Sequence, residues 1–229
     1  MWWCTSSDCF TYKLNRVRLG KDLLEVKRCP TKREVLRTLM CIYDPMGLIS
    51  HYLMFLKMLL QEIWRAAVDW DDEIDQSTFA KWHIWIRLLP QIEDLRIPRC
   101  YRQATSASAE TEIQLHTFVD AGENGMAAVV YLRYVEGTTV ECALVGAKTR
   151  VAPLKYLSIP RMELQAALIG ARFADSITRG LSIKIKRRMF WSDSRNVLSW
   201  LHSEHRRYNQ FVGARVSGIL ELVDISDWR

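Results

Sequence analysis

The feature that most constrains this chain is a short alternating segment that ends in a carboxylate. Residues 115–121 read LHTFVDA, with apolar and polar side chains in alternation, and Gly122 and Gly125 follow. A period of two predicts a strand, and the glycines predict a turn after it. Aspartate is depleted in strands, so the position of Asp120 at the end of this strand indicates a functional role.

Two further acids occupy positions that local propensity does not favour. Asp193 closes a strand predicted over residues 183–192, and Glu163 lies on the first turn of an apolar helix that Pro160 opens. The small residues on the same helix face as Glu163 are Ala167, Ala171 and Ala174. Small residues allow this face to approach a sheet closely, so we expect the helix to bring Glu163 over the strand ends.

The order of the predicted elements allows the three acids to converge. If the strands of Asp120 and Asp193 are parallel neighbours, both carboxylates emerge at one edge of the sheet, and the crossover helix delivers Glu163. Crowded carboxylates repel one another unless a cation neutralises them, and oxygen ligands without Cys or His suit Mg²⁺ or Mn²⁺. Two such ions about 4 Å apart activate a water and stabilise the leaving oxygen of a phosphodiester.

A separate structural role for each acid is the alternative. Glu163 near a helix N-terminus would complement the helix dipole. Asp193 would act as the N-cap of a helix that starts beside Ser194. The sequence leaves both interpretations open, although all three acids fall at predicted element ends.

Charge favours a nucleic-acid partner. The chain has 49% hydrophobic and 25% charged residues, which is typical of a soluble globular protein. Residues 179–229 hold ten Lys and Arg against five Asp and Glu, so five of the six net positive charges lie in the last quarter. This asymmetry favours a polyanionic partner, although a solvated basic face would have the same composition.

Nothing in the pattern predicts a membrane or zinc protein. The longest apolar run, residues 48–60, is too short to span a bilayer, which needs about 20 residues. The six cysteines show no zinc-ligand spacing, and no signal peptide is recognisable. We therefore expect reduced thiols and an intracellular, cytoplasmic location.

Pattern and composition predict an α/β protein with four segments. They are a hairpin, a helical region, a linker and a mixed α/β domain: residues 1–27, 28–102, 103–111 and 112–229. The last follows the order β-β-β-α-β-α-α, which predicts a mixed sheet with the Asp120 strand between the strand of residues 126–134 and that of residues 189–192.

The helical region is expected to form a bundle without chemistry. Thr31 and Glu34 form a capping box that opens its first helix. The apolar stripe of that helix consists of Val35, Leu36, Leu39, Met40 and Tyr43. The aromatic residues of the third predicted helix include Trp82 and Trp85 at helical spacing, which is typical of a core rather than a base-stacking surface.

Three segments resemble the first three acidic motifs of the ribonuclease H family. They are residues 120–122 (DAG), 161–167 (RMELQAA) and 192–197 (SDSRNV). The surrounding sequence is similar to the pol polyprotein of BEL/Pao-type LTR retrotransposons. The similar stretches are residues 32–37, 43–48, 70–73, 145–154 and 202–208. The resemblance covers nearly the whole chain, and its most specific part runs from Val145 through Ala167.

The resemblance implies a ribonuclease H-like domain that follows part of a reverse transcriptase. The hairpin would be the trailing edge of the palm, the helical region the thumb or connection, and the last segment a ribonuclease H-like mixed sheet lacking its last strand. The fourth family acid would lie beyond Arg229, and we interpret Asp224 and Asp227 as structural. The catalytic aspartate pair of a reverse transcriptase is absent, so no polymerase activity is expected.

The implied function is metal-dependent cleavage of the RNA strand of an RNA–DNA hybrid. Asp120, Glu163 and Asp193 would be the catalytic and metal-binding residues, with Mg²⁺ or Mn²⁺ as the cofactor. The partners would be the hybrid or another nucleic acid and the remainder of the pol polyprotein, in the cytoplasm and in virus-like particles. The alternative is a non-catalytic nucleic-acid-binding or connection module, inactive because the fourth acid is missing.

Overall fold

The computed structural model describes residues 1–102, 111–203 and 208–229. These residues form two compact units. The first contains Met1–Pro45 and Ile49–Cys100, and the second contains Met46–Leu48 and Tyr101–Arg229. The predicted linker, apart from Thr111, lies outside the described residues, as does part of the stretch 202–208. The boundaries of the four predicted segments stay a prediction.

The first unit is built from a small sheet and five helices. Its strands are β1 (Trp2–Cys4), β2 (Cys9–Thr11) and β3 (Ile97–Pro98). Its helices are α1 (Arg16–Leu19), α2 (Lys21–Leu24), α3 (Lys32–Met40), α4 (Ser50–Arg65) and α5 (Gln76–Leu88), and a 3₁₀ helix spans Leu89–Asp94. β2 pairs antiparallel with both β1 and β3. The predicted hairpin is present, whereas β3 was missed because two residues carry no periodic signal.

The capping box that begins α3 is confirmed. The Glu34 N–H donates to Thr31 Oγ1 at 3.3 Å, and the Thr31 N–H donates to Glu34 Oε2 at 2.9 Å. The end of the predicted apolar stripe is wrong, because Met40 is 75% and Tyr43 67% exposed. α3 ends at Met40, and the helical period does not continue to Tyr43.

The predicted aromatic core of the helical region is also confirmed. Trp82 and Trp85 of α5 are buried, and the ring of Tyr52 stacks on that of Trp85 at a centroid distance of 4.7 Å. The buried face of α4 consists of Leu53, Leu56, Leu59, Leu60 and Ile63. The apolar faces of α4 and α5 are therefore buried in the core of the first unit, as their helical spacing predicts.

The second unit contains a four-stranded mixed sheet. Its strands are β4 (Glu112–Gly122), β5 (Gly125–Glu136), β6 (Thr139–Val151) and β7 (Arg187–Trp191), in the order β6-β5-β4-β7. β4 is antiparallel to β5 and parallel to β7. The prediction that the Asp120 strand lies between its two neighbours is therefore confirmed, and so is the α/β fold class with a mixed sheet.

β7 is shorter than the sequence predicted, because it begins at Arg187 instead of residue 183. Arg187 pairs with Gln114, and β4 itself begins at Glu112. In this register the chain before residue 185 has no residue of β4 opposite it. The apolar alternation at residues 183–185 therefore continues past the end of the available partner strand.

One long helix covers one face of this sheet. The helices of the second unit are α6 (Ile159–Gly180), α7 (Arg195–Leu201) and α8 (Gln210–Leu220), and a 3₁₀ helix spans Ile225–Asp227. Ala167, Ala171 and Ala174 of α6 are fully buried. A Cβ on Gly170 would lie 2.3 Å from Val119 Cγ1, so α6 approaches β4 as closely as the small residues predicted.

The last residues of the chain lie along the outer edge of β7. The Arg229 N–H donates to the Phe190 carbonyl at 2.8 Å, and the Ser192 N–H donates to the Arg229 carbonyl at 3.0 Å. Trp228 forms a parallel bridge with Phe190, and their rings stack at 5.0 Å. In the described parts of both units, we find no helix long and apolar enough to cross a membrane.

Candidate active site

Asp120 lies on β4, and Asp193 follows the neighbouring parallel strand, β7. Asp120 is an exposed residue of β4, and Asp193 is exposed and follows the end of β7 by two residues. Phe118 of β4 is paired with Trp191 of β7. Asp120 is two residues beyond Phe118 on β4, Asp193 is two residues beyond the last residue of β7, and both line the same cleft. The expected meeting of these two acids at one sheet edge therefore rests on an observed strand pairing.

Side-chain alternation decides which face of the sheet Asp120 occupies. Thr117 and Val119 are buried beneath α6, where Gly170 approaches both side chains. Successive strand residues point to opposite faces, so Phe118 and Asp120 lie on the face that α6 does not cover. Phe118 is 45% exposed, which agrees with this assignment.

The proposed N-cap role of Asp193 is wrong. Ser194 is the N-cap of α7, and its Oγ accepts a hydrogen bond from the Val197 N–H at 3.3 Å. Asp193 lies one residue before the cap, where its carboxylate is exposed. The structural explanation for this acid therefore loses its main support.

Glu163 lies just past the first turn of its helix, because α6 begins one residue earlier than the sequence predicted. α6 begins at Ile159 after the N-cap Ser158, and its first turn contains no acidic residue. The interaction of Glu163 with the dipole of α6 is therefore weaker than the sequence predicted, because the effect of a helix dipole falls off within the first turn. Glu163 Oε2 accepts a hydrogen bond from the Oγ of Ser194.

Ser194 is the site residue that sequence reasoning missed. It is 6% exposed and connects the two acids, since it follows Asp193 in the chain and donates to Glu163. A serine before an apolar helix is a recognisable N-cap signal. Its second hydrogen-bond partner, 31 residues away in the chain, has no local signal.

Glu163 is not among the residues that line the cleft shared by Asp120 and Asp193. It is carried by α6, on the other side of the sheet from Asp120. Across residues 1–102, 111–203 and 208–229, no three His, Cys, Asp or Glu side chains form a group that could hold a metal ion. The cluster of Asp120, Glu163 and Asp193 therefore stays a prediction.

A row of aromatic rings lies near Asp120, on the face of the sheet that α6 does not cover. His116, Phe118 and Trp191 form this row, with His116 and Phe118 each 6.0 Å from the Trp191 ring and within 12° of parallel to it. Trp191 Nε1 donates to His116 Nδ1 at 3.1 Å, which leaves the ring proton on Nε2, 3.1 Å from Gln114 Oε1. Burial, followed by the charge of Arg133, lowers the pKa of His116 and favours this neutral form.

Asp224 has the structural role that the sequence predicted, whereas the structural role of Asp227 stays a prediction. Asp224 caps the last 3₁₀ helix by accepting hydrogen bonds from the Ser226 N–H at 2.8 Å and the Ser226 Oγ at 2.7 Å. These bonds lower the pKa of Asp224. Burial raises the pKa of Asp227, although the nearby Arg188 opposes this shift. Neither residue lines the cleft of Asp120 and Asp193.

A mixed sheet of this order, crossed by one long helix and carrying acids at the ends of two parallel strands, defines an RNase H-like α/β domain. The family model described as Pao retrotransposon-like RNaseH-like domain matches residues 31–194, and the chain belongs to this family. The relation to BEL/Pao-type retrotransposon pol that the motifs indicated is thereby confirmed. No curated protein matches the chain.

Several solved structures are similar to the chain at low identity. RNase H1 from the halophilic archaeon Halobacterium salinarum NRC-1 is 16% identical, with a TM-score of 0.33 over 50% of this chain and 81% of that one. The N-terminal RNase H domain of a Mycobacterium tuberculosis protein, solved as a fusion with maltose binding protein, is 9% identical, with a TM-score of 0.33 over 52% and 78%.

A reverse transcriptase is similar over a larger share of this chain. The protease-reverse transcriptase of prototype foamy virus is 11% identical, with a TM-score of 0.31 over 82% of this chain. The chain spans 31% of the length of that protein.

Proposed function

We propose that the second unit is a nuclease that cleaves the RNA strand of an RNA–DNA hybrid by two-metal catalysis. Asp120, Glu163 and Asp193 are the catalytic and metal-binding residues in this proposal, and Mg²⁺ or Mn²⁺ is the cofactor. The single observation that carries it is that Asp120, on β4, and Asp193, two residues past the end of the parallel strand β7, line one cleft.

The donor set suits a hard divalent cation. Mg²⁺ in proteins is commonly held by one or two carboxylates together with phosphate oxygens of the substrate. Asp120 and Asp193 supply two exposed carboxylates at one cleft, and among the residues that the structure describes neither Cys nor His lines it. When bound there, such ions would supply a water of lowered pKa and charge stabilisation for the leaving oxygen.

Glu163 joins these ligands only after a rearrangement of its side chain. The hydrogen bond from Ser194 Oγ occupies one of its carboxylate oxygens. To share a cation with Asp120 and Asp193, Glu163 would have to give up or share this hydrogen bond.

Basic residues near the acids would bind the nucleic-acid backbone. Arg229 lines the cleft that contains Asp120 and Asp193. A second cleft, at the outer edge of β7, is lined by Arg188 as well as Arg229. Positive charge on this side supports binding of a polyanion, which agrees with the excess of Lys and Arg in residues 179–229. The remainder of a pol polyprotein would be the other partner, in the cytoplasm or in virus-like particles.

Cleavage of a hybrid with labelled RNA tests the proposal directly. The full chain is incubated with the hybrid in Mg²⁺, in Mn²⁺ and in EDTA, and Asp193→Asn is compared with Glu221→Gln, a charge-matched control at the end of α8 outside the cleft. We expect metal-dependent cleavage that Asp193→Asn abolishes and Glu221→Gln leaves unchanged. Cleavage that survives in Asp193→Asn would refute the assignment.

A non-catalytic nucleic-acid-binding or connection module is the second candidate. It is favoured by the hydrogen bond that engages Glu163 and by the lack of a three-ligand metal group within the described ranges. The same assay separates the two candidates. A chain that binds the hybrid in Mg²⁺ and leaves its RNA strand intact would be this module.

A further inference from the structure

A third cleft of the RNase H-like unit is lined by positive charge, and Asp120, Glu163 and Asp193 do not line it. Four cations line this basic cleft: Arg150, Lys155, Arg161 and Arg215. Among the residues that the structure describes, no Asp or Glu lines the cleft, and none of the four cations is in a salt bridge. Other basic residues of this unit, including Arg102, Arg179 and Lys186, are paired with carboxylates. The basic cleft thus presents uncompensated charge, which attracts an anion.

The innermost arginine of the basic cleft is held in place before any ligand binds. Arg215 Nε donates to Gln165 Oε1 at 2.6 Å, and one terminal nitrogen donates to the Phe211 carbonyl at 3.0 Å. The guanidinium lies 3.4 Å from the Phe211 ring centroid, and that of Arg161 lies 5.4 Å from the same ring. Two guanidinium groups therefore lie beside one aromatic ring, and the hydrogen bonds of Arg215 reduce the ordering that binding requires.

This arrangement brings like charges together. Burial, followed by the charge of Arg172, lowers the pKa of Arg215, although its guanidinium stays charged at neutral pH. An anion beside Arg215 would offset the repulsion from Arg172. The positions of the four cations, and not the pKa of Arg215, indicate that the ligand is an anion.

The walls of the basic cleft are apolar and include an exposed aromatic ring. Tyr156 is 87% exposed at the cleft, and Pro153, Leu157 and Met126 supply further apolar surface. The cleft measures about 550 Å³, within the range of small-ligand sites. A site for an inorganic anion alone would need neither this volume nor an exposed ring. Aromatic rings beside cations are the features that bind unpaired nucleotides.

We propose that the basic cleft binds one unpaired nucleotide of a single-stranded nucleic acid, with its phosphate against Arg161 and Arg215 and its base on Tyr156. This inference rests on the proposed nucleic-acid function, and it concerns binding rather than cleavage. A base inside a duplex is stacked on both faces and cannot lie on Tyr156. The cleft would therefore distinguish a single-stranded extension from a continuous hybrid.

Fluorescence anisotropy in EDTA tests the cleft independently of the proposed nuclease. The full chain is titrated into a labelled oligothymidylate of about ten nucleotides. A second probe is an oligonucleotide of the same length without bases. Tyr156→Ala should weaken thymidylate binding by about 5- to 100-fold, the usual effect of losing one stacking partner, and should leave the abasic probe unchanged. Arg161→Gln should weaken both probes and lower the slope of log affinity against log salt by about 0.7.

The control is Lys184→Gln, which removes the same charge at an exposed residue of the unit outside the cleft. Lys155→Gln replaces Arg161→Gln if the latter fails to fold, because Lys155 is exposed. Equal loss in Lys184→Gln, or unchanged thymidylate affinity in Tyr156→Ala, would refute the proposal. Metal-dependent cleavage without these binding effects would leave the proposed nuclease intact and exclude the nucleotide cleft.

Discussion

Ser194 Oγ donates a hydrogen bond to Glu163 and thereby connects α6 to the end of β7. The same oxygen accepts from the Val197 N–H and caps α7. One buried serine therefore fixes the helix that carries Glu163 relative to the strand that precedes Asp193. The position of Glu163 depends on this contact as well as on the packing of α6 against the sheet.

Replacing this serine should reduce stability. Ser194→Ala removes a helix cap, which costs about 0.5–2 kcal/mol, and leaves Glu163 without its partner. We expect a loss of about 1–3 kcal/mol in the free energy of unfolding, measured by urea denaturation in metal-free buffer. Ser199→Ala, an exposed position of α7, is the matched control and should change stability by less than about 0.5 kcal/mol. Equal stability of both variants would contradict the dual role of Ser194.

The close approach of α6 to β4 predicts opposite effects at two glycines of one helix. A Cβ at Gly170 would lie 2.3 Å from Val119 Cγ1, whereas a Cβ at Gly180 would have no atom of the described residues within 4 Å. Gly170→Ala should destabilise the protein by about 1–3 kcal/mol through overpacking. Gly180→Ala should be neutral or slightly stabilising, because alanine lowers the entropy of the unfolded chain. Thermal melting of the two variants checks this, and a neutral Gly170→Ala would contradict the packing.

His116 should make the stability of the second unit depend on pH. Its pKa is lowered in the folded protein, so the unfolded chain binds more protons in acid. The neutral His116 contributes fully to the free energy of unfolding above the ordinary histidine pKa of about 6.5. This contribution is lost as pH falls from there toward the lowered pKa of His116 in the folded protein. His116→Gln can keep hydrogen bonds to Trp191 and Gln114 without titrating. The melting temperature of this variant should fall less than that of the wild type between about pH 7.5 and pH 5. An identical pH dependence would contradict the neutral histidine.

Two of the stretches that resemble BEL/Pao-type pol contact each other in the first unit. Lys32 is 5% exposed, its Nζ lies 3.7 Å from the Trp64 ring centroid and 5.1 Å from that of Trp70, and it donates to the Val68 carbonyl at 2.9 Å. The Arg33 Nε donates to Asp71 at 2.7 Å. The start of α3 and the segment around Trp70 are therefore held together by a buried cation.

This contact predicts that Lys32 contributes more to stability than an exposed lysine does. Lys32→Met should lose about 1–3 kcal/mol, from the cation–π contacts and the hydrogen bond to Val68. Lys81→Met is the control, because Lys81 is exposed and its ion pair with Glu62 lies at the surface. Thermal melting followed by tryptophan fluorescence measures both variants. A loss in Lys32→Met no larger than that in Lys81→Met would contradict a structural role for the cation.

The sequence predicts the elements that have a local period and a local cap. The capping box of Thr31, the small-residue face of α6 and the position of β4 between β5 and β7 all follow from spacing, short connections and the crossover rule. The ends of strands are predicted less well. The first residue of β7 depends on where its partner β4 begins, and the alternation of apolar residues within β7 does not specify it.

The candidate site is predictable only in part, because some of its contacts also depend on partners that are distant in the sequence. The positions of Asp120 and Asp193 follow from the strand order. The contact between Ser194 and Glu163 and the bond from Trp191 to His116 join residues 31 and 75 positions apart, and no local pattern encodes them. Long-range side-chain pairs of this kind depend on the tertiary register, which a single sequence does not specify.

Titration with Mn²⁺ tests most directly whether Asp120 and Asp193 act together as a cation site. Electron paramagnetic resonance measures free Mn²⁺ against the wild type, Asp120→Asn, Asp193→Asn and the double variant. We expect a site in the wild type that each single variant weakens by about tenfold or more, and a double variant little worse than either single one, because both carboxylates bind at least one ion in common. Mn²⁺ affinity that is unchanged in both single variants would contradict a shared cation site at this cleft.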